Sequence, residues 1–174
     1  MKVATFLCAS LLLTQLGFAS ELHLASHCDT AYTFSKHETV LLVKPSNASP
    51  VEDSNFQVLR ESLLKAGFNL ADSAAGVQRY LTYYIRTGGT FESRTRIGRS
   101  LVETRVDSSR TSVTLAMFDA SAPELKQQKQ KMIWQAALNV PDKDYEKAAA
   151  DLLAKLLKLY GKNEVKTESF KVRK

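Results

Sequence analysis

The sequence predicts a two-layer α+β sandwich, a mainly antiparallel sheet with two helices packed on one face. Three observations carry this. A leucine-lined amphipathic pattern runs from Tyr145 to Tyr160. Several alternating or β-branched runs precede it with short links, and a shorter helical pattern, Phe56 to Ala66, follows the first of them. Consecutive strands with short links pair antiparallel, and one-faced helices must bury their stripes against the sheet.

The chain opens on "MKVATFLCASLLLTQLGFAS", one lysine followed by an uncharged apolar run from Val3 to Leu16 and small residues at Gly17 and Ala19. Residues 1–19 read as a cleaved secretory signal peptide with Ala19/Ser20 as the preferred bond. The run is shorter than the roughly 20 residues of a membrane span, and no second such stretch follows. About 155 residues remain, enough for one domain with a core. The leader holds Lys2 and no acid, so its removal lowers the formal net charge from +6 to +5. Lysines and arginines are interleaved with acids, which speaks against a nucleic-acid binder.

Residues 20–35 show little periodicity and are expected to form an irregular N-terminal arm. "ETVLLVKP" (Glu38 to Pro45) is a short strand stopped by proline. After a polar loop, Asp53 or Ser54 can cap a helix on which Phe56, Leu59, Leu63 and Ala66 share a face, with Gly67 as its stop. "VQRYLTYYIR" (Val77 to Arg86) alternates, with Leu81, Tyr83 and Ile85 toward a core and Tyr80, Thr82, Tyr84 and Arg86 on a wettable face. "SRTRIGRS" (Ser93 to Ser100), "LVETRV", "TSVTLAMFDAS" and "MIWQAALNV" follow as strand-like runs. Val113, Leu115 and Met117 share one side, and Trp134 reads as a core anchor. The closing helix places Ala148, Ala149, Leu152, Leu153, Leu156, Leu157 and Tyr160 on one stripe, with Asp142 or Asp144 as its cap, Gly161 as its end and Asp151 poised four residues before Lys155. Residues 20–161 are thus expected as a single domain and 162–174 as a polar basic tail.

In order and spacing, "YTFSKHETVLLVKP", "LRESLLKAGF", "TSVTLAMFDA" and "MIWQAAL" resemble the bacterial exported domain-of-unknown-function 4136 family. The resemblance spans about residues 30 to 161. It implies a Gram-negative envelope location and a role without an established reaction. Many members of that family resemble lipoproteins; neither Cys8 nor Cys28 stands after the small residue that a lipidated cysteine requires. Ala136 also occupies a position that is usually glycine there.

Catalytic motifs are absent from the sequence. It has no Gly-x-Ser-x-Gly, no His-Glu-x-x-His and no glycine-rich phosphate loop, and strand-end Asp119 reads as a turn former rather than an acid or base. No cofactor is expected. Three surfaces remain as candidates. His23, His27, Cys28 and His37 bring imidazole and thiol ligands into fifteen residues, with His23 and His27 on one face if that segment were helical, as a metal-binding protein or metal-dependent hydrolase would need. Arg94, Arg96 and Arg99 offer guanidinium forks to a phosphate, a carboxylate or an anionic lipid surface, although arginines in a hairpin also serve to blunt sheet edges. Tyr80, Tyr84 and Arg86 form a ligand or partner face. The expectation is a periplasmic or secreted envelope protein without catalysis that binds a protein or outer-membrane component through the uncovered face of its sheet.

Overall fold

The computed structural model describes residues 20–88, 91–97, 100–106, 109–120 and 131–171. Residues 1–19, expected as a leader, Arg99 and residues 172–174 of the expected tail lie outside them. The elements in order are β1 (Ser20–Cys28), β2 (Thr39–Val43), α1 (Pro50–Lys65), β3 (Asn69–Ala71), β4 (Arg79–Thr87), β5 (Phe91–Ile97), β6 (Ser100–Val106), β7 (Arg110–Asp119), β8 (Met132–Pro141), α2 (Asp142–Leu157) and β9 (Glu164–Phe170). Among the described residues, seven strands form one sheet in the order β3-β2-β4-β7-β8-β1-β9, and β5 pairs with β6 as a separate ribbon. Among the described residues only the β2 pairings, with β3 and β4, are parallel. This is the α+β architecture expected.

The helix-facing side of the sheet follows the alternation. Leu81 and Tyr83 of β4, Val113, Leu115 and Met117 of β7, and Trp134 and Leu138 of β8 are buried against α1 and α2. Leu152, Leu153, Leu156 and Leu157 of α2 meet them, all 1% exposed or less; each such side chain is worth about 2 kcal/mol of apolar burial. Trp134 packs edge-on to Tyr160 at 5.3 Å between centroids, and Phe34 and Phe68 meet the same ring.

Two segments depart from expectation. The arm at 20–35 is not irregular: Ser20–Cys28 is an interior strand between β8 and β9. Leu22, Leu24 and Ser26 face the helices, and the Ser26 hydroxyl accepts the Trp134 Nε1–H at 2.9 Å and donates to the Lys162 carbonyl at 2.9 Å. Only Leu22 and Leu24 mark the buried side, which Ser26 continues with a polar residue, and Glu21, His23, Ala25 and His27 opposite are weak strand formers, so the period of two is short and faint. The tail is likewise ordered from Glu164 to Phe170 as edge strand β9. Its pattern is inverted: Val165 is 72% exposed, whereas Glu164, Lys166 and Glu168 are half-buried and ion-paired with one another, Glu168 also taking Lys155 at 2.6 Å. Lys155 is thus drawn to the sheet edge. Inward-pointing charges of this kind guard an edge strand against unwanted pairing, and a hydrophobicity pattern cannot reveal them.

Both helix starts also differ. α1 begins a turn earlier, at Pro50, with Ser49 as N-cap in a capping box: Ser49 Oγ accepts from Glu52 N and Glu52 Oε2 from Ser49 N. Proline at the first helical position is favourable, since its missing N–H has no partner there anyway. α2 has Pro141 at its N-cap and no side-chain cap; Asp142 Oδ1 instead accepts the Thr111 hydroxyl at 2.7 Å. Gly161 ends the turn after α2 with φ +71°, and a Cβ there would lie 2.8 Å from Phe34 Cβ, so backbone and packing both require glycine.

Candidate functional site

The side of the sheet away from the helices is not a free surface. Ser112, Ala116, Ile133, Gln135 and Ala137 alternate onto it, yet all are buried. The β5–β6 ribbon comes within contact distance of β8 and β7 without pairing with either. The uncovered face expected from the sequence is therefore reduced to its margins.

At one margin lies a groove of about 620 Å³. Its origin is local. Pro45 follows β2 closely and cannot extend the ladder, so the β2–β4 pairing ends at Val43↔Thr82. β4 runs on to Thr87, held from its other side by β7 as far as Thr87↔Thr111. The space beside the overhang is walled by Ser46, Asn47 and Ser49 and floored by Val51 and Glu52. Tyr84, 46% exposed, and Arg86 line it from β4.

Glu52 is the groove's organising residue. It is 7% exposed and its carboxylate accepts Ile85 N–H at 3.0 Å and Ser49 N–H at 2.7 Å. Its backbone carbonyl accepts the Tyr83 hydroxyl at 3.0 Å. One carboxylate thus joins the helix start, the loop and the strand overhang. The partial positive charge of the helix N-terminus favours a carboxylate in this place. Burial, then the charges of Glu52 and Asp53, push the Tyr83 phenol up to about 12.

A second polar centre sits at the opposite end of β4. Arg79 spans Glu38 at 2.9 Å and Asp119 at 3.1 Å, with side chains 12%, 19% and 9% exposed respectively. The Tyr32 ring lies under Arg79 and also under Lys131, whose ammonium is 4.6 Å from the ring centroid. Asp119 is therefore an ion-pair partner. Neither Arg79 nor Glu52 was singled out from sequence. Their signals are an arginine on the core-facing parity of a strand and the Ser-Pro-x-Glu spacing of a capping box.

The sequence-based candidates fare unevenly. Tyr84 and Arg86 meet at the groove; Tyr80 lies on the same side of β4 but further along, half-buried, and does not line it. Arg94 falls in β5 opposite Glu103, and Glu92 opposite Arg105, so two register pairs set an acid against an arginine, while Arg96 stands opposite Leu101. β1 separates the proposed metal ligands. His23 and His27 share the side away from the helices, roughly 13 Å apart along an extended strand, whereas Cys28 faces the other way, its Sγ 3.4 Å from the Gly161 carbonyl. His23 Nδ1 lies 3.0 Å from Thr167 Oγ1, and His37 stands in the turn before β2. The helical arrangement that would pair the two imidazoles is thus replaced by one that parts them. Among the described residues no group of three or more His, Cys, Asp or Glu side chains is placed to hold a metal ion. Burial raises the Cys28 thiol above its ordinary value.

A smaller groove of about 450 Å³ opens between the helices, where Lys36, Lys65 and Lys158 surround Ala66 and Ala154. Lys36 donates to the Ala66 carbonyl at 2.9 Å. Lysines at the carbonyl ends of two helices have a structural reason to be there.

Three phenols couple the core to alkali. Tyr83 and Tyr160 are pushed up to about 12 and Tyr145 higher, in each case chiefly by burial. A phenol whose folded value exceeds its unfolded value of about 10 stabilises the fold fully below pH 10 and loses that contribution as pH rises toward 12. We therefore expect phenolate absorbance from these three to appear in one cooperative step together with loss of near-ultraviolet circular dichroism. Gradual ionisation with the fold intact would contradict the burial described.

By class, the molecule is an α+β protein whose open, mostly antiparallel sheet carries two helices on one side. Among solved structures it is similar to a DUF4136 family protein from Bacteroides thetaiotaomicron VPI-5482, at 11% identity over 78% of this chain and 91% of that chain with a TM-score of 0.50, and its fold is of the DUF4136 type. It is also similar to the PelC dodecamer from Paraburkholderia phytofirmans (13% identity, 80% and 99% covered, TM-score 0.46) and to a minor lipoprotein from Acinetobacter baumannii (12%, 70% and 87%, TM-score 0.32). At these identities the likeness concerns the fold. No family model matches the chain, and no curated protein matches it. No helix among the described residues is long and apolar enough to cross a membrane.

Proposed function

We propose that this is an exported envelope protein that acts by binding, without a reaction of its own, and that the groove beside Tyr84 is its contact surface. The leader-like first nineteen residues and the DUF4136-type fold support the location. The observation that carries the contact surface is the conjunction of an exposed tyrosine with a polar-walled groove at the one end of β4 that β2 leaves open. A tyrosine ring supplies contact area at low entropic cost, and a wall of hydroxyl and amide groups supplies orientation. The arginine ribbon and the histidines of β1 are not needed for this reading.

A photoreactive phenylalanine analogue at Tyr84 tests it in the envelope fraction of cells making the full chain. The expected result is a discrete adduct from position 84 and none from the same group at Gln57, on the exposed side of α1. Equal labelling from both positions, or no adduct from 84, overturns the assignment.

A further inference from the structure

We infer that the occupant of this groove is an extended peptide segment of another protein, which lies beside β4 as a short added strand where β2 stops. The inference rests on the contact surface proposed above and deepens it by naming the ligand class. Its basis is the backbone. Ile85 N–H faces this side of β4, where Glu52 Oε1 accepts it in a buried bond at 3.0 Å. Alternation along a strand turns the N–H and carbonyl of Thr87, and the carbonyl of Ile85, the same way. Among the described residues no strand pairs with β4 on this side beyond Thr82. Beyond the Glu52 carboxylate the overhang leaves the Ile85 carbonyl and the N–H and carbonyl of Thr87, an edge of roughly 7–10 Å, the length of two or three extended residues.

The shape agrees with the backbone. The groove lies between a strand edge and the Ser46–Ser49 loop, in the place the next strand of the sheet would take, and residues of both strand faces, Tyr84 and Ile85, line it. An object that enters there meets main-chain donors and acceptors at its edge and the Tyr84 ring on one face. Peptides recognised by strand addition take their affinity from such edges and their specificity from side pockets. Glu52 already supplies the acceptor that a neighbouring strand would offer Ile85, so the guest's own hydrogen bonds fall on Thr87 and on the Ile85 carbonyl.

The test uses the full chain and a phage-displayed random nonapeptide library, followed by synthetic copies of the selected peptides N-methylated at one residue at a time. Strand addition predicts that methylation at alternate positions weakens binding roughly ten-fold while the positions between tolerate it. It also predicts that the Thr87 amide slows in hydrogen exchange when the peptide is bound, and that Thr87→Pro loses this binding. The methylated peptides need no altered protein, so a folding defect in the proline variant leaves the test intact. Selected peptides that shift amides elsewhere, a methylation scan without alternation, or a library that yields no binder overturns the inference. A protease-resistant adduct at Tyr84 in cells also overturns it while leaving the groove as the contact surface, whereas no adduct at all removes both.

Discussion

An Arg79→Met variant unfolds with a free energy about 3–5 kcal/mol below that of the parent chain. The guanidinium holds Glu38 and Asp119 in a site where the three side chains are at most 19% exposed. Removing it leaves two carboxylates close together without their shared cation, and each then opposes the other. The same reasoning fixes the control. Combining Arg79→Met with Glu38→Gln and Asp119→Asn removes the unpaired charges along with the pair, so it restores most of the loss, since an ion pair replaced as a whole is often nearly neutral. Urea unfolding with an unchanged m-value measures both. A loss below about 1 kcal/mol in the single variant, the range typical of exposed pairs, would show that water reaches the site.

Glu52→Ala comes next, with an expected loss of about 3 kcal/mol. The substitution deprives Ile85 N–H and Ser49 N–H of their acceptor and dismantles the capping box of α1. Glu52→Gln keeps one amide oxygen to accept a hydrogen bond, so its loss is smaller. Amide exchange locates the effect: Ile85 and Ser49 exchange faster in the alanine variant, while Val113 and Leu138 in the sheet interior follow only the global stability. If Ile85 keeps its protection, the carboxylate is not what holds the overhang of β4.

These two residues mark the limit of what could be read in advance. Tyr84 and Arg86 were legible as members of a candidate surface because alternation alone assigns them to the face opposite Leu81, Tyr83 and Ile85. That this surface would be a groove was not, because it depends on where β2 stops relative to β4, a difference in length between strands about forty residues apart. The arginines of the ribbon stood out by density, yet the register that sets Arg94 opposite Glu103 is a pairwise fact between two strands. The histidines stood out by clustering, and β1 parted them, because an extended chain separates residues four apart that a helix would bring onto one face.

By itself the sequence determined the elements that bury a continuous apolar stripe: the leucine face of α2, the Leu59 and Leu63 face of α1, the alternating β4 and β7, and Trp134 in the core. Local periodicity suffices there, since one face of each element must leave water. Only the tertiary structure decided the places of β1 and β9, the ion pairs at Arg79, the role of Glu52, and the open end of β4. The contacts that decide them join segments distant along the chain, as Glu52 joins Ile85 and Arg79 joins Glu38 and Asp119, and pairings of that kind leave no periodic trace in either partner.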